Sequence, residues 1–83
     1  MYSKIEEYFK KHFNVSIVDF DIEKSEYKIH RPKDMKSDSF EKFSSQDMLH
    51  FLGLDIHRYN LTLSVENVII LRISPKRKKE TIF

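Results

Sequence analysis

Leu61-Thr62-Leu63-Ser64-Val65-Glu66-Asn67-Val68-Ile69-Ile70-Leu71-Arg72-Ile73 holds the clearest strand pattern of the sequence. Leu61, Leu63 and Val65 alternate with Thr62 and Ser64, the period of a strand with one buried face and one wet face. Glu66-Asn67 stands where a turn belongs, between two runs of β-forming residues. Val68 to Leu71 has no polar position, which predicts a strand buried on both faces at the centre of the sheet. A hairpin over 61–73 follows.

Upstream, Val18, Phe20 and Ile22 alternate with Asp19, Asp21 and Glu23, which predicts apolar groups inward and acids outward. Val15 and Ile17 are out of phase with Val18, so a bulge or a later strand start is expected there. Glu23-Lys24-Ser25-Glu26 can turn, and Tyr27, Ile29 and Arg31 alternate until Pro32 ends the strand. These residues predict a second antiparallel hairpin, 17–22 with 27–31.

Two segments change period. Ile5, Tyr8, Phe9 and Phe13 form one helical stripe opposite Glu6, Glu7, Lys10 and Lys11, predicting a helix over 3–13. Ser3 and Glu6 have the spacing of a capping box, and Asn14 suits the C-terminal stop. Residues 32–39 read as a polar loop. Phe40 and Phe43 can open a helical turn, Ser44 begins a second N-cap signal, and Met48, Leu49 and Leu52 follow at core spacing before Gly53. The second helix lies within 39–52, with a break near Ser44. The order α-β-β-α-β-β predicts an α+β fold, a two-layer sandwich with an antiparallel sheet of two hairpins and helices on one face.

The chain has 83 residues, no Cys, no Ala, one Gly and two Pro, and a net charge of +2. That length holds a single core, expected over residues 1–74 with a basic tail over 75–83. Without Cys there are no disulfides, zinc fingers, Fe–S clusters or thiol nucleophiles. One Gly leaves no material for phosphate-cradling loops. No His motif for a metal is present. Asp47 and His50 lie at i, i+3 without a third ligand, and no cofactor is implied. Phe, Tyr, Met, Ile, Asn and Lys, whose codons are AT-rich, total 37 residues, against 7 for Gly, Ala, Arg and Pro. An AT-rich genome, such as that of a virus or mobile element, is therefore expected. The longest apolar run has four residues, far below the ~20 of a membrane span, and acids stand where a signal peptide needs apolar residues. An intracellular, cytoplasmic protein without membrane contact is expected, or a nuclear one if the host is eukaryotic, since Pro75-Lys76-Arg77-Lys78-Lys79 looks like a nuclear localisation signal. So small a domain buries only about 60–65% of its unfolded surface, which leaves room for a homodimer.

The net charge averages two unlike parts. Residues 1–71 carry −2, whereas Arg72, Lys76, Arg77, Lys78 and Lys79 with Glu80 give residues 72–83 a charge of +4. Such a cluster attracts nucleic-acid phosphate through long-range field and counterion release. A second basic segment runs through the first hairpin and its exit: Lys24, Lys28, Arg31, Lys33 and Lys36, with Tyr27 and His30 interleaved. Tyr27 shares a strand face with Ile29, which favours a core role over base stacking.

Three functions are weighed. The first is a non-enzymatic regulatory protein holding nucleic-acid phosphate with Lys28, Arg31, Lys33, Lys36, Arg72, Lys76, Arg77, Lys78 and Lys79. The second is a protein-interaction module, such as a phage or mobile-element inhibitor of a host protein, using hairpin edges and Tyr2, Tyr59 or Phe83. The third, least favoured, rests on Asp19, Asp21, Glu26 and Lys28. Their pattern resembles the D…(D/E)xK arrangement of metal-dependent nucleases, which implies carboxylates on Mg²⁺ and a Lys assisting the attacking water.

Overall fold

A computed structural model describes residues 1–76. Helix α1 spans Tyr2–Phe13 and buries Ile5 and Phe9, the centre of the predicted stripe. It starts one residue before the expected cap. The Met1 carbonyl accepts from the Ile5 amide, and Ser3 lies inside the first turn without a capping bond. The extra residue carries the Tyr2 ring over the sheet, with centroids 6.4 Å from Phe20 and 6.1 Å from Tyr27. At the other end Asn14 takes the left-handed conformation at φ 55°, and the amides of Asn14 and Val15 close onto the Lys10 and Phe9 carbonyls.

Strand β1, Ile17–Asp21, and β2, Glu26–Ile29, form the first hairpin. The expected bulge lies between Ile17 and Asp19, where the register shifts. It turns Ile17 into the core beside Val15 and sends Val18 out to 58% exposure. Ile22, expected as an inward strand residue, lies beyond the end of β1 and is 77% exposed. Asp21 explains the early stop: its Oδ1 accepts from the amides of Glu23 and Lys24, and that side-chain cap starts the turn. Ser25 completes the turn at positive φ.

The loop after β2 passes through a 3-10 turn, Ser37–Phe40, into α2, Ser45–Phe51. The break near Ser44 falls as expected, with the Ser44 hydroxyl accepting from the Asp47 amide. Gly53, at φ +75°, lets its own amide bond the His50 carbonyl and the Leu54 amide bond the Leu49 carbonyl, ending α2. Strand β3, Tyr59–Val65, and β4, Ile69–Pro75, make the second hairpin. β4 runs one residue beyond the expected domain limit, with Pro75 opposite Tyr59.

The four strands form one antiparallel sheet in the order β1-β2-β4-β3, so β4 is interior as its doubly apolar run predicted. Ile17, Ile29, Ile69 and Val65 lie side by side across one face, as do Phe20, Tyr27, Leu71 and Leu63. Both helices cover this face: Phe9 and Phe13 meet Phe40, and Met48, Leu49 and Leu52 are buried with the strand residues in one cluster. Each fully buried side chain of this size contributes about 1.5–3 kcal/mol of transfer free energy. The expected α+β two-layer arrangement is the observed one.

Candidate functional site

Among the described residues, no helix covers the second face of the sheet. Asp19 and Asp21 on β1, Glu26 and Lys28 on β2, Ile70 and Arg72 on β4, and Thr62 and Ser64 on β3 all project there, because each alternates with a core position. Asp19 stands opposite Lys28, and Asp21 opposite Glu26. Glu26 in turn stands opposite Arg72 and forms an ion pair with it, the guanidinium donating to Oε2 through both Nε (2.9 Å) and Nη2. The Ile73 amide donates to the Ser25 carbonyl, so Glu26 and Arg72 occupy a non-hydrogen-bonded site of the ladder, where side chains approach most closely. Glu26 is only 9% exposed, and Arg72 neutralises it.

The acids of the nuclease-like pattern therefore share a face, but each is engaged. Asp21 caps the turn, Asp19 Oδ1 accepts from the Phe20 amide, and Glu26 holds Arg72. Among the described residues no group of three or more His, Asp or Glu side chains converges as a set of metal ligands.

The basic residues separate into two groups. Arg31, Lys33 and Lys36 lie beyond the end of β2, at the end of the sheet that also holds the Glu66-Asn67 turn. Arg31 is half-buried and serves the backbone: Nε and Nη2 donate to the Met35 carbonyl at 3.3 and 2.9 Å, and Nη1 to the Glu66 carbonyl. It thereby ties the loop after β2 to the β3–β4 turn. Lys33 and Lys36 are exposed, with the exposed acids Asp34 and Asp38 nearby in the chain. Lys76 lies at the opposite end, where its amide donates to the Arg58 carbonyl at 2.7 Å. The length of β4 separates the two groups by about 20 Å at ~3.3 Å per residue. Lys28 and Arg72 lie between them on the open face. Arg77, Lys78 and Lys79 lie outside the described residues.

Sequence reasoning missed Arg58. It precedes β3 in a stretch with no clear period, and it meets Lys76 only because β3 and β4 pair. Its contact with Asp55, 3.8 Å long and largely exposed, is of the kind that contributes little and leaves Arg58 accessible. Lys24, in the β1–β2 turn, is exposed at the same end, because Ser25 pairs with Ile73. Lys24, Arg58 and Lys76 thus lie at the same end of the sheet, where β4 finishes, with Asp21, Glu23 and Asp55 as local acids.

Tyr27, interleaved with the basic hairpin residues, does not offer a platform for bases. Tyr27 is 5% exposed and stacks on Phe20 at 4.4 Å, as its shared face with Ile29 predicted. Burial raises its phenol pKa, and that of Tyr8, where the charge of Asp47 adds to desolvation. Of the aromatics expected at an interface, Tyr2 is exposed, Tyr59 is half-buried, and Phe83 lies outside the described residues. No helix among the described residues is long and apolar enough to cross a membrane.

Compared with known proteins, the chain matches no family model, no curated protein and no solved structure.

Proposed function

We propose that this chain is a non-enzymatic regulatory protein that binds nucleic-acid phosphate at the end of the sheet where β4 finishes. The observation that carries this reading is the placement of Lys24, Arg58 and Lys76 at that one end, with Arg77-Lys78-Lys79 next in the sequence. Lysine and arginine heads on flexible stems suit phosphate oxygens and need no fixed pocket. Recognition is backbone-directed, hence weak in sequence preference and strong in salt dependence. Lys28, Lys33 and Lys36 extend the contact. Arg31 supports it by holding the loop that carries Lys33 and Lys36.

Fluorescence anisotropy of a labelled duplex at low salt tests the reading. Joint replacement of Lys24, Arg58 and Lys76 by Ala should weaken binding at least as much as the Lys33→Ala, Lys36→Ala pair. Equal affinity of the triple variant and the unaltered protein would overturn it.

A second reading, a module that binds another protein, draws on one observation. Met1, Tyr2, Val18 and Ile22 are exposed, and Val18 and Ile22 belong to β1, an edge strand, and the turn that follows it. Affinity capture from nuclease-treated lysate separates the two: a stoichiometric protein partner favours the module, and loss of all partners favours nucleic acid.

A further inference from the structure

The sheet has two edges, and only one is defended. β1 has five residues, is broken by a bulge and carries Asp19 and Asp21, devices that discourage a further strand. β3 has seven residues, Tyr-Asn-Leu-Thr-Leu-Ser-Val, with no charge, no Pro and no register shift. An edge of this kind is a template for pairing.

The pairing of β4 fixes which groups the β3 edge presents. The Ile73 amide points toward β2, so Ile70, Arg72 and Ser74 point toward β3 and meet Ser64, Thr62 and Asn60. The main-chain N–H and C=O groups of Leu61, Leu63 and Val65 therefore point away from the sheet. Among the described residues no main-chain bond outside the ladder reaches them, and no side chain bonds to them. Beside this edge, Leu63 and Val65 line an open groove of about 440 Å³ together with Phe40, Phe43 and the acids Asp38 and Glu41.

We infer that the β3 edge pairs with the β3 edge of a second copy of this chain, antiparallel, with Leu63 on the two-fold axis. This register uses the outward positions Leu61, Leu63 and Val65, because Leu63 faces the partner's Leu63 and Leu61 faces the partner's Val65. It closes six main-chain hydrogen bonds. Thr62 then stands opposite the partner's Ser64 at non-hydrogen-bonded positions on the open face, a favourable cross-strand pair with no charge to repel. On the helix side the partner's Leu61 packs against Val65 at the mouth of the groove. The occupant is self-complementary, as a two-fold contact requires.

The arrangement bears on the proposed binding reading, on which this last step rests. Antiparallel pairing sets Lys24, Arg58 and Lys76 of one copy at the same end of the joined sheet as the partner's Lys33 and Lys36. Arg58, the nearest of its group, then lies about three strand spacings, ~15 Å, from the partner's Lys33 and the partner's Lys36 across the dimer.

Sedimentation equilibrium of the full chain over an about hundredfold concentration range, without nucleic acid, tests the inference. The unaltered protein should dimerise. Thr62→Glu with Ser64→Glu places two pairs of like charges across the axis and should weaken association by about tenfold or more, whereas Thr62→Glu with Ser64→Lys should restore it. Amide exchange at Leu61, Leu63 and Val65 should be slow in the dimer and fast in the Glu/Glu variant, with the interior β4 amides protected in both. A monomer at every concentration, or a dimer untouched by the Glu/Glu pair, would overturn the inference. A charge-sensitive dimer that fails to bind the duplex would leave the pairing standing and remove the nucleic-acid reading.

Discussion

Arg72 and Glu26 face each other across the two interior strands, and the guanidinium holds a carboxylate that is almost wholly removed from water. An Arg named by the sequence as a phosphate ligand is thus first a counter-ion. Replacing it by Ala or Met leaves Glu26 buried and unpaired, whereas replacing both residues by apolar ones of similar size removes the problem. Arg72→Met should cost about 1–3 kcal/mol in urea unfolding, and Glu26→Leu with Arg72→Met should recover most of it. An unchanged stability of the single variant would show that Glu26 does not depend on its partner.

Arg31 has a comparable duty at the opposite end. Its bonds to the Met35 and Glu66 carbonyls hold a loop that is otherwise short of apolar anchors. Arg31→Ala should speed amide exchange in 33–36 while leaving the β2–β4 ladder protected, and should lower stability by about 1–3 kcal/mol. Arg31→Lys cannot reproduce the fork and should recover little.

Asn14 ends α1 in the left-handed region, at φ 55°. Asn14→Gly should be neutral or slightly stabilising, and Asn14→Ala should cost about 1 kcal/mol. A thermal melt of the two variants side by side checks the order. An Ala variant equal to the Gly variant would show that the conformation carries no strain.

Asn14 also marks how much of the fold could be read in advance. Its side chain, the stop at Gly53, the Ser44 cap and the bulge after Ile17 are local consequences of backbone sterics and short-range hydrogen bonds, so the sequence displays them. The order of the elements follows from the two periods. The start of α1 and the fate of Ile22 did not show, because a Tyr2 ring seeking Phe20 and an Asp21 cap decide them in three dimensions. The candidate site was less legible. Nothing in spacing tells that Arg72 is neutralised by Glu26, that Arg31 is spent on carbonyls, or that Arg58 lies beside Lys76. Each depends on strand register between distant segments.

The tyrosines give a pH dependence of known sign. Burial raises the pKa of Tyr8 and Tyr27 in the folded state above the ordinary value of 10.0. The folded protein keeps these protons where the unfolded chain has lost them. Their stabilising contribution is complete below about pH 10 and disappears as pH rises through the folded-state pKa. Chemical denaturation between pH 8 and about pH 11 should show that fall, and Tyr8→Phe with Tyr27→Phe should flatten it. A fall equally steep in the double variant would place its cause elsewhere.

The proposal that the basic end of the sheet binds phosphate is tested most directly by the salt dependence of duplex affinity. Plotted as log K against log salt, the slope for the full chain should be about −0.9 for each phosphate neutralised. Deleting residues 76–83 should make it shallower by several such steps, and Arg58→Ala by about one. A slope that the deletion leaves unchanged, or no measurable binding at low salt, would contradict the account.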